Sequence, residues 1–306
     1  MIHERLPLIF TVLSKRGPIE EALVHNLAPY GIAEKHRIGS SVVLRSLERA
    51  PATENAATLV FLHGRGHSAA IWSPLLRTLP HDVGVIAIDL PGFGHSGEAG
   101  LEQDSAQHGL EYFRDPIEDT LKKTPNLVLV GHSLGGLVAL DLALRRFVDA
   151  RALVLVDAMG LSPQVTPLAR AYLHFGPEIM TTWIGPTLRG TSLTGDDRRD
   201  LEALRAELRS TRGTRPGARR AFKSLVPIMG DAFSMRSLLP QLAVPTLLVW
   251  GERDRAFPLP IAVDASTRIK NVRLETLPTD HSPHTEEAER TGALISDFLA
   301  SSGVAY

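Results

Sequence analysis

Residues 127–144, LVLVGHSLGGLVALDLAL, leave the chain few options. The stretch opens with a short apolar run, Leu127 to Val130. It passes through Gly131-His132-Ser133-Leu134-Gly135-Gly136 and continues in a helical pattern with Leu137, Leu140, Ala143 and Leu144 on the apolar side. That order predicts strand, sharp turn and helix, with Ser133 at the apex. A serine so placed occupies strained backbone and raises its hydroxyl above the sheet edge. Gly131 and Gly135 carry no Cβ, so strand and helix can approach closely around the turn. The competing reading is a glycine-rich turn with a solvated serine. The five-residue pattern alone does not separate the two; the strand before it and the helix after it favour a nucleophile.

The rest of the chain repeats the alternation. Strands are expected at 41–47 (SVVLRSL), 58–62 (TLVFL), 83–88 (VGVIAI), 152–156 (ALVLV), 245–250 (PTLLVW) and 272–277, with helical patterns at 72–79, from Asp115-Pro116 onward, and at 286–299. Asp115 is placed to cap its helix, with Pro116 at the first helical position and Glu118 at the third. Strands interleaved with helices predict an α/β fold whose mostly parallel central sheet carries helices on both faces. Residues 160–240 break the rhythm. They read as helix and loop, including a charged helix from Asp196 with Leu201, Leu204 and Leu208 on one face. Residues 1–38 read as an amphipathic, helical N-terminal arm. It either packs on the main domain, covers the mouth of a site or joins a homodimer.

Composition narrows the function classes. The chain has 306 residues, 43% hydrophobic and 22% charged, with a net charge of −1. That is an ordinary globular balance, and it gives no reason to expect nucleic acid or an anionic membrane as a partner. There are no cysteines, which excludes disulfides, thiolate catalysis and cysteine-bound zinc. No H-E-x-x-H pattern occurs, so no metal is expected, and Gly92-Phe93-Gly94 reads as part of the DLPGFGHS turn, so no dinucleotide cofactor is expected either. The apolar patch Leu6 to Leu13 is too short to span a bilayer. Ser14-Lys15-Arg16 follow it instead of a small-residue cleavage site, so the cytoplasm is the expected location.

Ligands of parallel sheets bind beyond the carboxyl ends of the strands. The chemically capable residues all fall there. His63-Gly64-Arg65-Gly66 follows one strand, Ser133 another, Asp254 the strand at 245–250, and His281 the last. A serine hydroxyl is a weak nucleophile at neutral pH and needs a positioned base. His281 is the candidate base, and Asp254 the candidate acid that orients it. Asp157, after the strand at 152–156, is a rival acid. An oxyanion needs donors aimed at the developing charge. The Leu134 N–H, at a helix start, is one candidate, and the Arg65 N–H in the turn after His63 is the second. The Arg65 side chain is either a solvated rim charge or a contact to an anionic or carbonyl group of the substrate.

Taken together, LVFLHGRG (59–66), DLPGFGHS (89–96), GHSLGG (131–136), LLVWGERD (247–254) and DHSPH (280–284) resemble the α/β-hydrolase-fold superfamily, in its capped serine hydrolase form. The resemblance covers about residues 40 to 300. It implies a core at 39–159 and 241–306, a helical cap at 160–240, and the triad order Ser133, Asp254, His281. The N-terminal arm departs from the pattern, and the resemblance does not explain it. A serine at the apex disfavours relatives that place aspartate there. The expected reaction is cleavage of an ester, lactone or similar acyl bond through an acyl-serine. Carbon–carbon cleavage of a diketone-like substrate, a non-hydrolytic lyase, cyclase or acyltransferase, and a non-enzymatic binding module are the alternatives. Tyr172, Phe175, Trp183 and Phe222 in the expected cap suggest an apolar small molecule, although each could equally pack the cap onto the core.

Overall fold

The computed structural model describes residues 17–39, 42–98, 109–175, 196–211 and 216–304. One eight-stranded sheet organises them: β1 (Ala33–Ile38), β2 (Val43–Arg49), β3 (Thr58–Leu62), β4 (Gly84–Ile88), β5 (Leu127–His132), β6 (Ala150–Val156), β7 (Thr246–Gly251) and β8 (Val272–Leu277). The spatial order is β1-β2-β4-β3-β5-β6-β7-β8. The pairs β1–β2 and β2–β4 are antiparallel, and all the others are parallel. β3 and β5 are buried along their whole length, as continuous apolar runs in a covered parallel sheet should be.

Helices cover both faces. α1 (Pro18–His25) precedes the sheet. α2 (Ser73–Leu76), α3 (Glu111–Leu121) and α4 (Leu134–Leu144) interleave with the central strands. α5 (Pro167–Phe175), α6 (Asp196–Thr211) and α7 (Pro216–Leu225) lie between β6 and β7. α8 (Pro260–Ser266), α9 (Pro283–Glu286) and α10 (Ala288–Ser301) complete the chain. The period-two alternation of β3 divides the core. Val60 and Leu62 join one apolar cluster with Ile117 of α3, Leu137 of α4 and Ala262 of α8. Leu59 and Phe61 join the other with Leu23 of α1, Leu75 of α2 and Phe298 of α10.

Two local expectations need correction. The helical reading of residues 1–38 fails at its end, because Ala33–Ile38 form β1 and pair with β2 at the sheet edge. AEKHRI has no apolar alternation to announce a strand. Its pairing instead places opposite charges across the ladder, with Arg37 Nε 2.6 Å from Glu48 and Arg45 Nε 2.9 Å from Glu34. The helix expected to start at Asp115 begins at Glu111, and Pro116 lies inside it. An interior proline costs about 3 kcal/mol. Tyr112, Phe113, Ile117 and Leu121 are all buried along this helix, and that apolar face offsets the penalty. Residues 1–16, which hold the expected N-terminal apolar patch, lie outside the described residues.

Candidate active site

The turn after β5 has the expected strain. Ser133 sits at φ 52°, ψ −115° immediately before α4. Such backbone costs about 1–3 kcal/mol unless the surroundings impose it. Three hydrogen bonds do so: the Ser133 N–H donates to the Val156 carbonyl, and the Ser133 carbonyl accepts from the N–H groups of Leu137 and Met159. A Cβ on Gly131 would collide with the backbone of Gly135 and Gly136. One on Gly135 would fall on the Leu62 carbonyl. The absence of both side chains is what lets strand, turn and helix close on one another.

His281 and Asp254 meet at the same end of the sheet. His281 Nδ1 lies 2.8 Å from Asp254 Oδ2. Asp254 is buried, and its other oxygen accepts from the N–H groups of Ala256 at 2.7 Å and Phe257 at 3.0 Å. These donors fix the carboxylate so that it receives the Nδ1 proton, which leaves Nε2 of His281 as the basic nitrogen. The backbone of His281 is tied to the serine turn as well: its carbonyl is 2.8 Å from His132 Nε2, one residue before Ser133.

Asp157 is close but differently held. Its Oδ1 accepts from the Gly251 N–H at 2.8 Å, and its Oδ2 lies 4.0 Å from His281 Nδ1, beyond hydrogen-bond reach. Burial, followed by the negative charge of Asp254, pushes the Asp157 carboxyl well above the usual carboxylate range. Asp157, Asp254 and His281 also form the one group among the described residues whose oxygen and nitrogen atoms could share a metal ion, all lying within 4.8 Å of one another. The 2.8 Å contact already engages two of those atoms as a hydrogen-bonded pair.

The turn after β3 faces the serine. A Cβ on Gly64 would meet His132 Nδ1 and the Ser133 Cβ, so this turn packs directly against the elbow. Arg65 follows, and its guanidinium carbon stands 4.8 Å over the ring centroid of Phe222, a buried residue of α7. Leu134 is the first residue of α4, where a backbone N–H has no intrahelical acceptor. Tyr172 and Phe175 belong to α5, but their side chains, like Trp183 as a whole, lie outside the described residues.

The sequence signals several further contributors only weakly. His63 accepts the Leu90 N–H at Nε2, 2.9 Å away, so Nδ1 carries the proton and donates to the Gly64 carbonyl at 2.7 Å. Its place in HGRG, directly after a strand, was the available signal. His284 is fully buried, with its ring 4.3 Å from that of His132 and 4.4 Å from that of Trp72. Burial above all holds His132 and His284 well below the usual imidazole range, and the Arg205 guanidinium adds to it. Both are therefore neutral in the native state at neutral pH. The unfolded chain takes up protons below about pH 6.5 that these rings refuse, so stability falls as the pH drops through that value. At pH 5.5 each should cost about 1 kcal/mol. Thermal unfolding followed by circular dichroism should show a lower Tm at pH 5.5 than at 7.5, with a smaller difference in His284→Phe.

A doubly covered, mostly parallel sheet with a strained serine elbow, and with a histidine and a carboxylate on loops at the same sheet edge, defines an α/β enzyme of the hydrolase class. Comparison with known proteins agrees. The chain belongs to the alpha/beta hydrolase family, whose model matches residues 59–294. It is 27% identical over 258 residues to 2-hydroxymuconate semialdehyde hydrolase from Pseudomonas sp. (strain CF600), covering 81% of this chain and 88% of that one. It is 27% identical over 259 residues to the pimeloyl-[acyl-carrier protein] methyl ester esterase of Vibrio parahaemolyticus, covering 78% and 93%. Among solved structures, the carboxylesterase CesB from Bacillus subtilis superposes with a TM-score of 0.69 at 19% identity, covering 92% of this chain and 97% of that one. No helix among the described residues is long and apolar enough to cross a membrane.

Proposed function

We propose that this chain is a serine hydrolase that cleaves an ester, lactone or similar acyl bond of an apolar small molecule. The observation that carries the reading is the 2.8 Å His281–Asp254 pair, tied through the His281 carbonyl to the residue before a strained Ser133. In this reading His281 Nε2 takes the Ser133 proton as Oγ attacks the substrate carbonyl. Asp254 holds the imidazole in its Nδ1–H tautomer and stabilises the imidazolium. The oxyanion accepts from the backbone N–H groups of Leu134 and Arg65. Collapse of the tetrahedral intermediate returns the proton to the leaving group and leaves an acyl-serine. Water, activated by the same histidine, then releases the acid. Residues 160–240 are the cap of this reading, and among its described side chains Phe222 supplies an apolar contact to the acyl group.

Methyl ester cleavage by one relative supports the ester reading. The likeness to a semialdehyde hydrolase supports a second reading, carbon–carbon cleavage of a diketone-like substrate. A fluorophosphonate probe tests the shared chemistry. The wild type should be labelled, and Ser133→Ala should not. An unlabelled wild type would sink the activated-serine reading. Turnover of p-nitrophenyl esters against a meta-cleavage diketone then divides the two substrate classes.

A further inference from the structure

The N-terminal helix carries a carboxylate into the heart of the molecule. Glu20 of α1 is 1% exposed. Its Oε1 accepts from the Ser68 hydroxyl at 2.9 Å and lies 3.1 Å from Arg45 Nη1, and its Oε2 is 2.6 Å from His95 Nε2. Arg45 is fully buried on β2 and also reaches Asp89 Oδ1 at 3.2 Å. Asp89 accepts the N–H groups of Ala69 and His95, each at 2.6 Å. Five separate pieces of chain therefore converge on one charge cluster: α1, β1 through Glu34 at 2.9 Å from Arg45 Nε, β2, the turn after β3, and the loop after β4. A buried carboxylate is expensive unless it is paired and fully hydrogen-bonded, and each of these groups supplies part of that compensation.

The turn that Glu20 holds through Ser68 is the one that begins at His63-Gly64-Arg65 and packs against Ser133. α1 is itself held from the other side. Its Ile19 and Glu20 N–H groups donate to Glu207 of α6 at 2.9 and 3.0 Å. Leu201, Leu204 and Leu208 of α6 share an apolar cluster with Leu23, Val24 and Leu27 of the arm. Two residues before Glu207, Arg205 reaches the Ser282 hydroxyl, next to His281, at 3.5 Å. No part of Glu20 enters the substrate chemistry, yet it joins the arm to the turn that presents the second oxyanion donor.

We propose that Glu20 is a positioning residue of the catalytic centre: through its hydrogen bond with Ser68 it sets the turn that places the Arg65 N–H. The inference rests on the serine hydrolase reading. It gives the arm a role within its own chain, because an oxyanion donor displaced by a fraction of an ångström loses much of its effect.

The readout is the reaction of Ser133 with the fluorophosphonate, whose phosphonyl oxygen takes the oxyanion position, so no natural substrate need be known. Full-length Glu20→Ala should lower the limiting labelling rate about tenfold and leave the half-saturating probe concentration within threefold. Ser68→Ala should do the same to a lesser degree. The double variant should be no slower than Glu20→Ala, since both remove one link. Glu20→Gln keeps an acceptor for Ser68 while losing the charge that faces Arg45 and His95. It should unfold at a lower temperature yet retain most of the labelling rate. Labelling within twofold of the wild type in both Ser68→Ala and any folded Glu20→Ala overturns the proposal, as does a Glu20→Gln rate that falls in step with its Tm. An unlabelled wild type overturns this inference and the serine hydrolase reading together, whereas a labelled wild type with unaffected variants overturns only this inference.

Discussion

Ser133→Ala is expected to lower kcat by about six orders of magnitude, the loss typical of removing a triad nucleophile, with little change in Tm. The two expectations have separate causes. The serine Oγ is the only atom removed. The bonds that hold the strained turn, to Val156, Leu137 and Met159, all use the residue's backbone and survive in alanine. The flanking glycines that permit the turn are also untouched. The oxyanion donors and the apolar contacts remain, so KM should stay within a few-fold. Adding Asp254→Asn to Ser133→Ala should cost almost nothing further, because groups that act as a unit fail as a unit. Stopped-flow or long-incubation assays with a chromogenic ester, alongside thermal unfolding, decide the matter. Residual turnover above about a thousandth of the wild type would mean that another group performs the attack.

The second expectation concerns the acid. Asp254→Asn should reduce turnover by about four orders of magnitude, since an amide at that position favours the wrong imidazole tautomer and cannot balance the imidazolium charge. Asp157→Asn should keep most of the activity and raise stability at neutral pH. The sign follows from the direction of its shift. Burial and the charge of Asp254 hold the Asp157 carboxyl protonated in the folded chain at pH values where the unfolded chain has released its proton. Above the ordinary aspartate value of 3.8, the unfolded state is therefore favoured increasingly as the pH rises. An asparagine resembles the protonated carboxyl in shape, can still accept from the Gly251 N–H, and carries no proton to lose. It also tolerates the positive φ of 41° at this position. Kinetics and thermal unfolding of the two variants at pH 7.5 separate the carboxylates. If Asp157→Asn is the crippling change and Asp254→Asn is mild, the acid has been misassigned.

The raised Asp157 carboxyl also bears on how two carboxyl groups can share one histidine. Like charges in one buried site resist ionising together, and Asp157 is the one that burial and its neighbour push toward the neutral form. Asp254 has two backbone donors and the imidazole; Asp157 has one backbone donor through its side chain.

The elbow was legible in the sequence because its causes are local. Gly131, Ser133 and Gly135 follow an apolar strand and precede a helix, and steric exclusion within that short stretch dictates the turn. The order of the strands' end residues was legible too, since a parallel sheet brings those ends to one edge. β1 was not, because AEKHRI is stabilised by charge pairs with Glu48 and Arg45 and not by apolar alternation. The Pro116 helix was misread because burial of Tyr112 and Phe113 overrides a local preference that the sequence does display.

The residues of the chain, by themselves, determined an α/β sheet with a serine turn and placed a histidine and two candidate acids after its strands. Asp157 and Asp254 both follow strands that lie side by side; the sequence favours Asp254 and leaves Asp157 as its rival. Only the tertiary structure decided that Asp254 lies 2.8 Å from His281 while Asp157 lies 4.0 Å away. It likewise decided that Glu20, 75 positions before His95, is buried against it. Local sterics can be read along a chain, but a hydrogen bond between distant segments depends on how the sheet and its loops bring them together.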